Sequence, residues 1–306
     1  MNQLPVDVLI DILSWLPVKP LTICSCISKS FLNLTRDPRF AQAHLSRSPS
    51  SSLSSPDFLL QGLCPDHHYG KIHFLEQNRQ AVDDDDHYTL TDLQFAIPGF
   101  NCFQVVRSCH GLLCLATNSS LRNLIYVCNP FTRQYVRLPD PLIRPLHHNP
   151  HSKVVGFGFC DKTHEYKVVE VAPSKLFTGV QTDRSKVFVF TLGECWRDKG
   201  DVPCAVETLA GVSNKFVNGA LHRVGSSPVN VILSFDVGDE VFRVIPFPDQ
   251  FGRDQRGFCS LKILGGCLLI VNCSSFGNPA EIWVMLDYGV QESWTKCFIW
   301  KDSECP

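Results

Sequence analysis

Histidine and cysteine are the residue types in this 306-residue chain best suited to metal or nucleophilic chemistry, and it carries 11 and 15 of them. His67 and His68 are adjacent, and His147, His148 and His151 form a second cluster. Grouped imidazoles hold zinc when carboxylates or thiolates complete the set. Both clusters lie in Pro- and Asn-containing loops without partner carboxylates at ligand spacing, so they read as surface loops. No two cysteines are spaced C-x-x-C, and Cys24 and Cys26 are too close to bridge one another. Cys114, Cys128, Cys267 and Cys273 sit inside apolar runs, where a thiol behaves as a small hydrophobe. No cysteine has a recognisable activating context. The Walker phosphate loop, the G-x-S-x-G elbow and H-E-x-x-H are all absent. "GFGF", residues 156–159, lacks the third glycine of a dinucleotide loop, and the acidic run 83–86 lacks EF-hand spacing. The expectation is a protein with no catalytic residue, metal or cofactor.

What remains is recognition by surfaces. A net charge of -2 gives no bulk electrostatic reason to seek nucleic acid or acidic lipid. The apolar run "ILGGCLLIV", 263–271, is far too short to span a bilayer. An odd number of unpatterned cysteines suits a reducing compartment, hence a cytoplasmic and/or nuclear location. The most unusual segment is the first: "LPVDVLIDILSWLPVKPLTICSCISKSFLNL", 4–34, charged only at Asp7, Asp11, Lys19 and Lys29. It lacks the basic start of a signal peptide, and Asp7 and Asp11 interrupt its apolar run.

Its spacing predicts short helices. Pro5 suits a first helical position, and Asp7 places a carboxylate against the positive end of the helix dipole. Leu9, Ile12, Leu13 and Leu16 follow at i, i+3, i+4, i+7, and Val8 widens that stripe. Pro17 and Pro20 end this helix and start another. Leu21, Cys24, Ile27, Phe31 and Leu34 continue at helical spacing, with Ser28 as the cap of a third helix. Asp37 and Pro38 then open a fourth, anchored by Phe40 and Leu45. So small a core leaves apolar surface exposed, and such a patch marks a binding site unless it caps a neighbouring domain.

After this helical module, 1–46, the Ser- and Pro-rich stretch 47–56 reads as a flexible linker. Residues 57–306 read as β structure. "GLLCLAT" and "NLIYVCNP" are short apolar runs bounded by turn residues. "VVGFGFCDKTHEYKVVEV" reads as a hairpin, and "VILSFDVGDEVFRVIPFP" as another turning at Gly238-Asp239. Similar units begin near residues 110, 218 and 265, each a few antiparallel strands. That repetition fits propeller blades, with a β-sandwich as the rival. Trp196, Trp283, Trp294, Phe131, Phe235 and Phe247 are expected in the core. Recognition is expected in the irregular loops "RPLHHNPHS" and "PDQFGRDQRGF", with Arg144, His148, Arg253 and Arg256 as candidate target contacts.

Two resemblances add to this. The phrases "LPVDVLIDILSWLPVKPL", "CISKSFLNL" and "DPRFAQAHL" resemble the F-box motif in its plant form, with two Leu-Pro pairs and a Ser-Lys-x-aromatic step in register. The resemblance implies docking on a Skp-type adaptor, and through it a cullin scaffold, by Leu4, Pro5, Ile12, Leu13, Leu16, Pro17, Leu21 and Phe31. Leu13→Asp with Leu16→Asp is then expected to abolish docking while the β domain stays folded. Trp15 departs from the basic residue common there, and "TIC", 22–24, from a more basic stretch. The phrases "NPFTRQYVRLP", "GFGFCDKTHEYKVV", "VNGALHRV", "ILSFDVGDEVFRVIPFP" and "EIWVMLDYGVQESWTK" resemble the F-box-associated domain of plant F-box proteins, a kelch-like β-propeller. The resemblance implies a small all-α module followed by an all-β propeller. Only eight residues follow "SWTKCF", so the last blade is expected to be incomplete. The implied function is substrate recognition for a Skp–cullin–F-box type ubiquitin ligase. The alternative is a ligand- or glycan-binding propeller whose N-terminal helices are a structural cap.

Overall fold

The computed structural model describes residues 4–47, 58–63, 69–77, 88–92, 103–117, 124–141, 154–175, 181–202, 205–206, 215–227, 231–250, 259–272 and 280–300. By packing, the chain divides into two compact units. One holds residues 1–62, 71–95 and 130–134; the other holds the rest.

The helices of the first unit are α1 (Val6–Leu13), α2 (Val18–Ile27), α3 (Lys29–Thr35) and α4 (Pro38–Arg47). Their ends follow the sequence signals. Pro5 stands one position outside α1, and its carbonyl accepts from the Val8 and Leu9 N–H groups. Pro17 stands in the same place before α2. Ser28 is extended between α2 and α3, and its Oγ accepts from the Phe31 N–H at 3.2 Å. Asp37 Oδ1 accepts from the Arg39 N–H at 2.9 Å at the start of α4. Each cap pairs a donor that the first helical turn leaves without a partner. The apolar interior is Leu13, Leu21, Leu34 and Phe40, with Leu9, Ile10, Leu16, Cys24 and Phe31 packed around it. The same unit carries a three-stranded sheet of β1 (Phe58–Leu63), β2 (Tyr69–Gln77) and β3 (Tyr88–Asp92).

The second unit is a series of antiparallel meanders. Sheet one is β4 (Gln104–Cys109), β5 (Leu112–Ala116), β6 (Ile125–Asn129) and β7 (Gln134–Arg137). Sheet two is β8 (Val154–Cys160), β9 (Glu165–Lys175), β10 (Gln181–Thr191) and β11 (Trp196–Asp201). Sheet three has β12 (Ala205–Val206) and β13 (Lys215–Val217) both paired to β14 (Ala220–Ser227), then β15 (Val231–Asp236) and β16 (Val241–Ile245). Sheet four is β17 (Cys259–Leu264), β18 (Cys267–Asn272), β19 (Ala280–Met285) and β20 (Trp294–Trp300). The expected hairpins are β8–β9 and β15–β16. The expectation of an incomplete last blade is corrected: the final sheet has four strands. The stretch after "SWTK" supplies the outer strand: Phe298 and Trp300 pair with Ile282 and Ala280 to complete β20.

Successive sheets pack face to face, and strand alternation explains how. Val168 and Phe190 of sheet two join Val106, Ile125 and Val127 of sheet one. Their neighbours Val169 and Val189 point the other way and join Leu221, Leu233 and Phe235 of sheet three. Ile232 and Ile245 then join Leu268, Ile270, Trp283 and Trp294 of sheet four. Side chains alternate across a strand, so a strand buried on both faces reads as a continuous apolar run. That is why "GLLCL" and "VILSF" show no polar alternation. Trp283, Trp294, Phe235 and Phe247 are buried as expected, while Trp196 and Phe131 are only half-buried. The Trp196 indole N–H donates to the Pro139 carbonyl at 2.6 Å. The same burial pushes the Cys128 thiol up to about 12, consistent with an apolar filler.

A polar chain anchored on the buried His222 and Ser234 also links sheets three and four. His222 Nδ1 lies 3.0 Å from the Lys215 carbonyl, which assigns the ring proton to Nδ1. Nε2 then accepts from the Tyr288 hydroxyl at 2.7 Å, and Ser234 Oγ donates to Tyr288 at 3.0 Å. Burial lowers the His222 pKa, which keeps the ring neutral and the chain in this direction. Tyr288→Phe leaves His222 and Ser234 buried without that partner. The expected cost is about 1–3 kcal/mol, read as a lower urea midpoint at unchanged slope.

Candidate functional site

Two features of the described residues are candidates: the outer face of the helices and a cavity among the inner strands of the second unit.

On the helices, the predicted docking residues separate by burial. Leu13 and Leu21 are each 7% exposed and form the interior. Leu16 and Phe31 are half-buried against it. Leu4, Pro5, Ile12 and Pro17 are exposed. Leu13 and Leu21 therefore position the face rather than present it, and a charge at Leu13 reports on folding as much as on docking. The exposed apolar residues are instead Val6, Val8 and Ile12 on α1, with Leu4 and Trp15 flanking it, and Val18, Ile23 and Ile27 on α2. Ile12 is 52% exposed, Ile23 65% and Ile27 67%, on helices whose described apolar interior is the four buried side chains Leu13, Leu21, Leu34 and Phe40. Large apolar groups held in water by so small a fold are the mark of an interaction face. Val8 and Ile12, like Ile23 and Ile27, are four apart and so share a side of their helix. Ile23 falls within the "TIC" segment, and its surface role was not visible from spacing alone.

A clamp holds the end of α1. Arg47 of α4 donates to the Asp11 carboxylate, to the Asp11 carbonyl at 2.7 Å and to Ser14 Oγ. Its guanidinium lies 5.1 Å from the centre of the Trp15 ring. His44 Nε2 reaches the Leu16 carbonyl at 3.0 Å. These contacts cover carbonyls that the end of α1 leaves open, and they keep Trp15 at the surface beside Ile12.

The cavity is about 240 Å³ and is lined by Arg107, Ser108, Cys109, His110, Phe159, Asp161 and Phe216. Arg107 projects from β4. Its Nη1 donates to the Phe216 carbonyl at 3.2 Å and its Nε to the Ser108 carbonyl at 3.3 Å. The guanidinium lies 4.3 Å from the centre of the Phe216 ring. Burial pulls the Arg107 pKa down from its usual value. His110 and Gly111 both have positive φ, 48° and 77°, a two-residue hairpin turn of the I′ kind. Asn218-Gly219 and Gly265-Gly266 make the corresponding turns of sheets three and four. His110 thus stands where its counterparts use Asn or Gly. Its ring meets Phe159 edge-on at 4.8 Å, and its Nδ1 lies 3.4 Å from the Tyr166 hydroxyl.

Gly158 makes the cavity possible. A Cβ added there would lie 2.4 Å from Phe216 Cε2, so the ring rests directly on the β8 backbone. Gly158→Ala displaces the ring that Arg107 stacks on. The expected loss is about 1–3 kcal/mol of stability, with the second unit still folded, checked by urea titration.

Arg144, His148, Arg253 and Arg256 lie outside the described residues, as do His67, His68, His147 and His151. Among the described residues no three His, Cys, Asp or Glu side chains converge as a metal site. No described helix is long and apolar enough to cross a membrane.

Helices with an exposed apolar face, followed in one chain by a series of four-stranded antiparallel meanders, define a two-part protein: a small α-helical module and a propeller-type β domain. Comparison with known families gives the particular case. Residues 1–42 match the F-box domain, and residues 64–304 match the F-box associated beta propeller domain. The chain belongs to the F-box proteins that carry this propeller. It is 31% identical to F-box protein At3g07870 of Arabidopsis thaliana, over 97% of this chain and 72% of the relative. It is 28% identical to F-box/kelch-repeat protein At3g23880 of the same plant, over 96% and 79%. F-box protein CPR1, also from Arabidopsis thaliana, is 27% identical over 97% and 73%.

Proposed function

We propose that the chain is the substrate-recognition subunit of a Skp–cullin–F-box type ubiquitin ligase, acting in the cytoplasm or nucleus. The helical face docks on a Skp-type adaptor and the propeller holds a target protein. The mechanism is proximity. A target held by one end of the chain is presented at high effective concentration to ligase machinery held by the other. The chain itself makes and breaks no bond.

The observation that carries this reading is the exposure of Ile12, Ile23 and Ile27 on an F-box match. The test is co-purification of the full chain with a Skp-type adaptor. A stoichiometric complex is expected; an adaptor that elutes alone at micromolar concentration of both sinks the proposal.

A further inference from the structure

The cavity at Arg107 has an electrostatic imbalance. Several other semi-buried cations in the second unit are matched by carboxylates: Lys167, Arg197 and Lys199 meet Glu240, and Lys296 meets Glu281. Among the described residues Arg107 has no carboxylate within ion-pair distance, although it is half-buried. Two backbone carbonyls and the Phe216 ring fix its plane, leaving Nη2 without a partner in the cavity. A fixed, partly dehydrated guanidinium is a preorganised anion receptor, because its ordering cost is already met. Asp161 lines the same cavity without pairing to Arg107. It offers an acceptor for N–H groups, and its charge works against a doubly charged phosphate. Phe159 and Phe216 supply apolar walls.

We propose that this cavity receives one carboxylate of a target polypeptide, seated on Arg107, with peptide N–H groups beside it facing Asp161. The carboxylate is an Asp or Glu side chain or a C-terminus; the chemistry at Arg107 is the same. This rests on the reading of the propeller as the target-binding part. It places recognition on the inner hairpin turns rather than on the loops at 144–152 and 248–258. His110 adds a second polar group at the rim. Burial lowers its pKa, so at neutral pH it is an uncharged hydrogen-bonding group rather than a competing cation.

The test uses the full chain and four short labelled peptides in a direct binding titration. One is acetyl-Ala-Phe-Glu-Phe-Ala-amide. The second carries Gln and the third phosphoserine in place of Glu. The fourth is acetyl-Ala-Phe-Ala-Phe-Leu with a free C-terminus. The Glu or the free C-terminal peptide is expected to bind roughly tenfold more tightly than the Gln peptide, as one charge-assisted pair provides. Which of the two does so identifies the source of the carboxylate. Arg107→Gln is expected to erase the preference. Asp161→Asn, at an exposed position, is expected to strengthen carboxylate binding a few-fold and decides the matter if Arg107→Gln fails to fold. Equal binding of the Glu, Gln and free C-terminal peptides, no binding of any at millimolar concentration, or tighter binding of phosphoserine overturns the proposal. Adaptor co-purification on the same preparations separates the failures. Adaptor binding without peptide preference sinks the cavity alone; peptide preference without adaptor binding sinks the ligase role alone.

Discussion

Ile12→Asp combined with Ile27→Asp should weaken adaptor binding by at least about a hundredfold, with the helical unit still folded. Both side chains are more than half exposed, so placing carboxylates there costs little stability in the free chain, typically within about 0.5 kcal/mol. In a complex the same groups are apolar anchors, and truncating a central anchor costs about 2 kcal/mol or more. Two such losses, with a buried charge added, give at least the stated factor. Leu13→Asp is the contrasting variant. Leu13 packs with Leu21, Leu34 and Phe40, so a carboxylate there disrupts the apolar core of the described helices. It should lose binding by unfolding the helices, with helical circular dichroism falling alongside affinity. Leu13→Asp with Leu16→Asp therefore cannot separate docking from folding, whereas the Ile12/Ile27 pair can. An unchanged dissociation constant for that pair, measured by calorimetry, would show that the adaptor uses another face.

The helical half was legible in the sequence because its signals are local. Ser28, Asp37 and the prolines mark helix ends within a turn of where they act, and the structure places them there. Which apolar residues turn inward was less legible. A stripe at i, i+3, i+4, i+7 names a side of α1, but its width spans both interior and surface, and Ile12 and Leu13 are adjacent. Only the positions of α3 and α4 decide between them. In the second unit the hairpins were readable from turn chemistry, and the shared I′ turns at His110-Gly111 and Asn218-Gly219 explain why the repeats were visible. The cavity was not readable, because it joins β4, β8 and β13, whose contributing residues lie more than a hundred positions apart in the extreme case of Arg107 and Phe216. The one local clue was an arginine between the apolar runs "VV" and "LLCL" of "FQVVRSCHGLLCL". The incomplete last blade rested on how few residues follow "SWTKCF", whereas the outer strand of that sheet needs only Trp294–Trp300.

The largest stability effect is expected from Glu240→Gln, about 3 kcal/mol. Glu240 sits in the β15–β16 turn with φ of 56°, a left-handed conformation that aims its side chain at sheet two. There it meets Lys167 Nζ at 2.9 Å, together with Arg197 and Lys199. Lys167 is almost completely buried, at 4% side-chain exposure, and also donates to the Val237 carbonyl at 3.1 Å. Removing the carboxylate leaves that ammonium buried beside two other cations, which costs more than the pair itself contributes. Protonation performs the same experiment on the native chain. Burial works to raise the Glu240 pKa, but hydrogen bonds from Lys199 and Lys167 and the nearby charges outweigh it and bring the carboxyl down to about 2. A carboxyl depressed on folding contributes stability above its unfolded value, near 4.5. That contribution is lost as pH falls from there towards 2. Urea unfolding of the native chain should therefore weaken by about 2–3 kcal/mol across that window. The Gln variant, lacking the titrating group, should start lower and fall less. Parallel curves for the two proteins would mean that the cations around Glu240 are already satisfied by solvent, and that packing of Val169, Val189, Leu233 and Phe235 alone holds sheets two and three together.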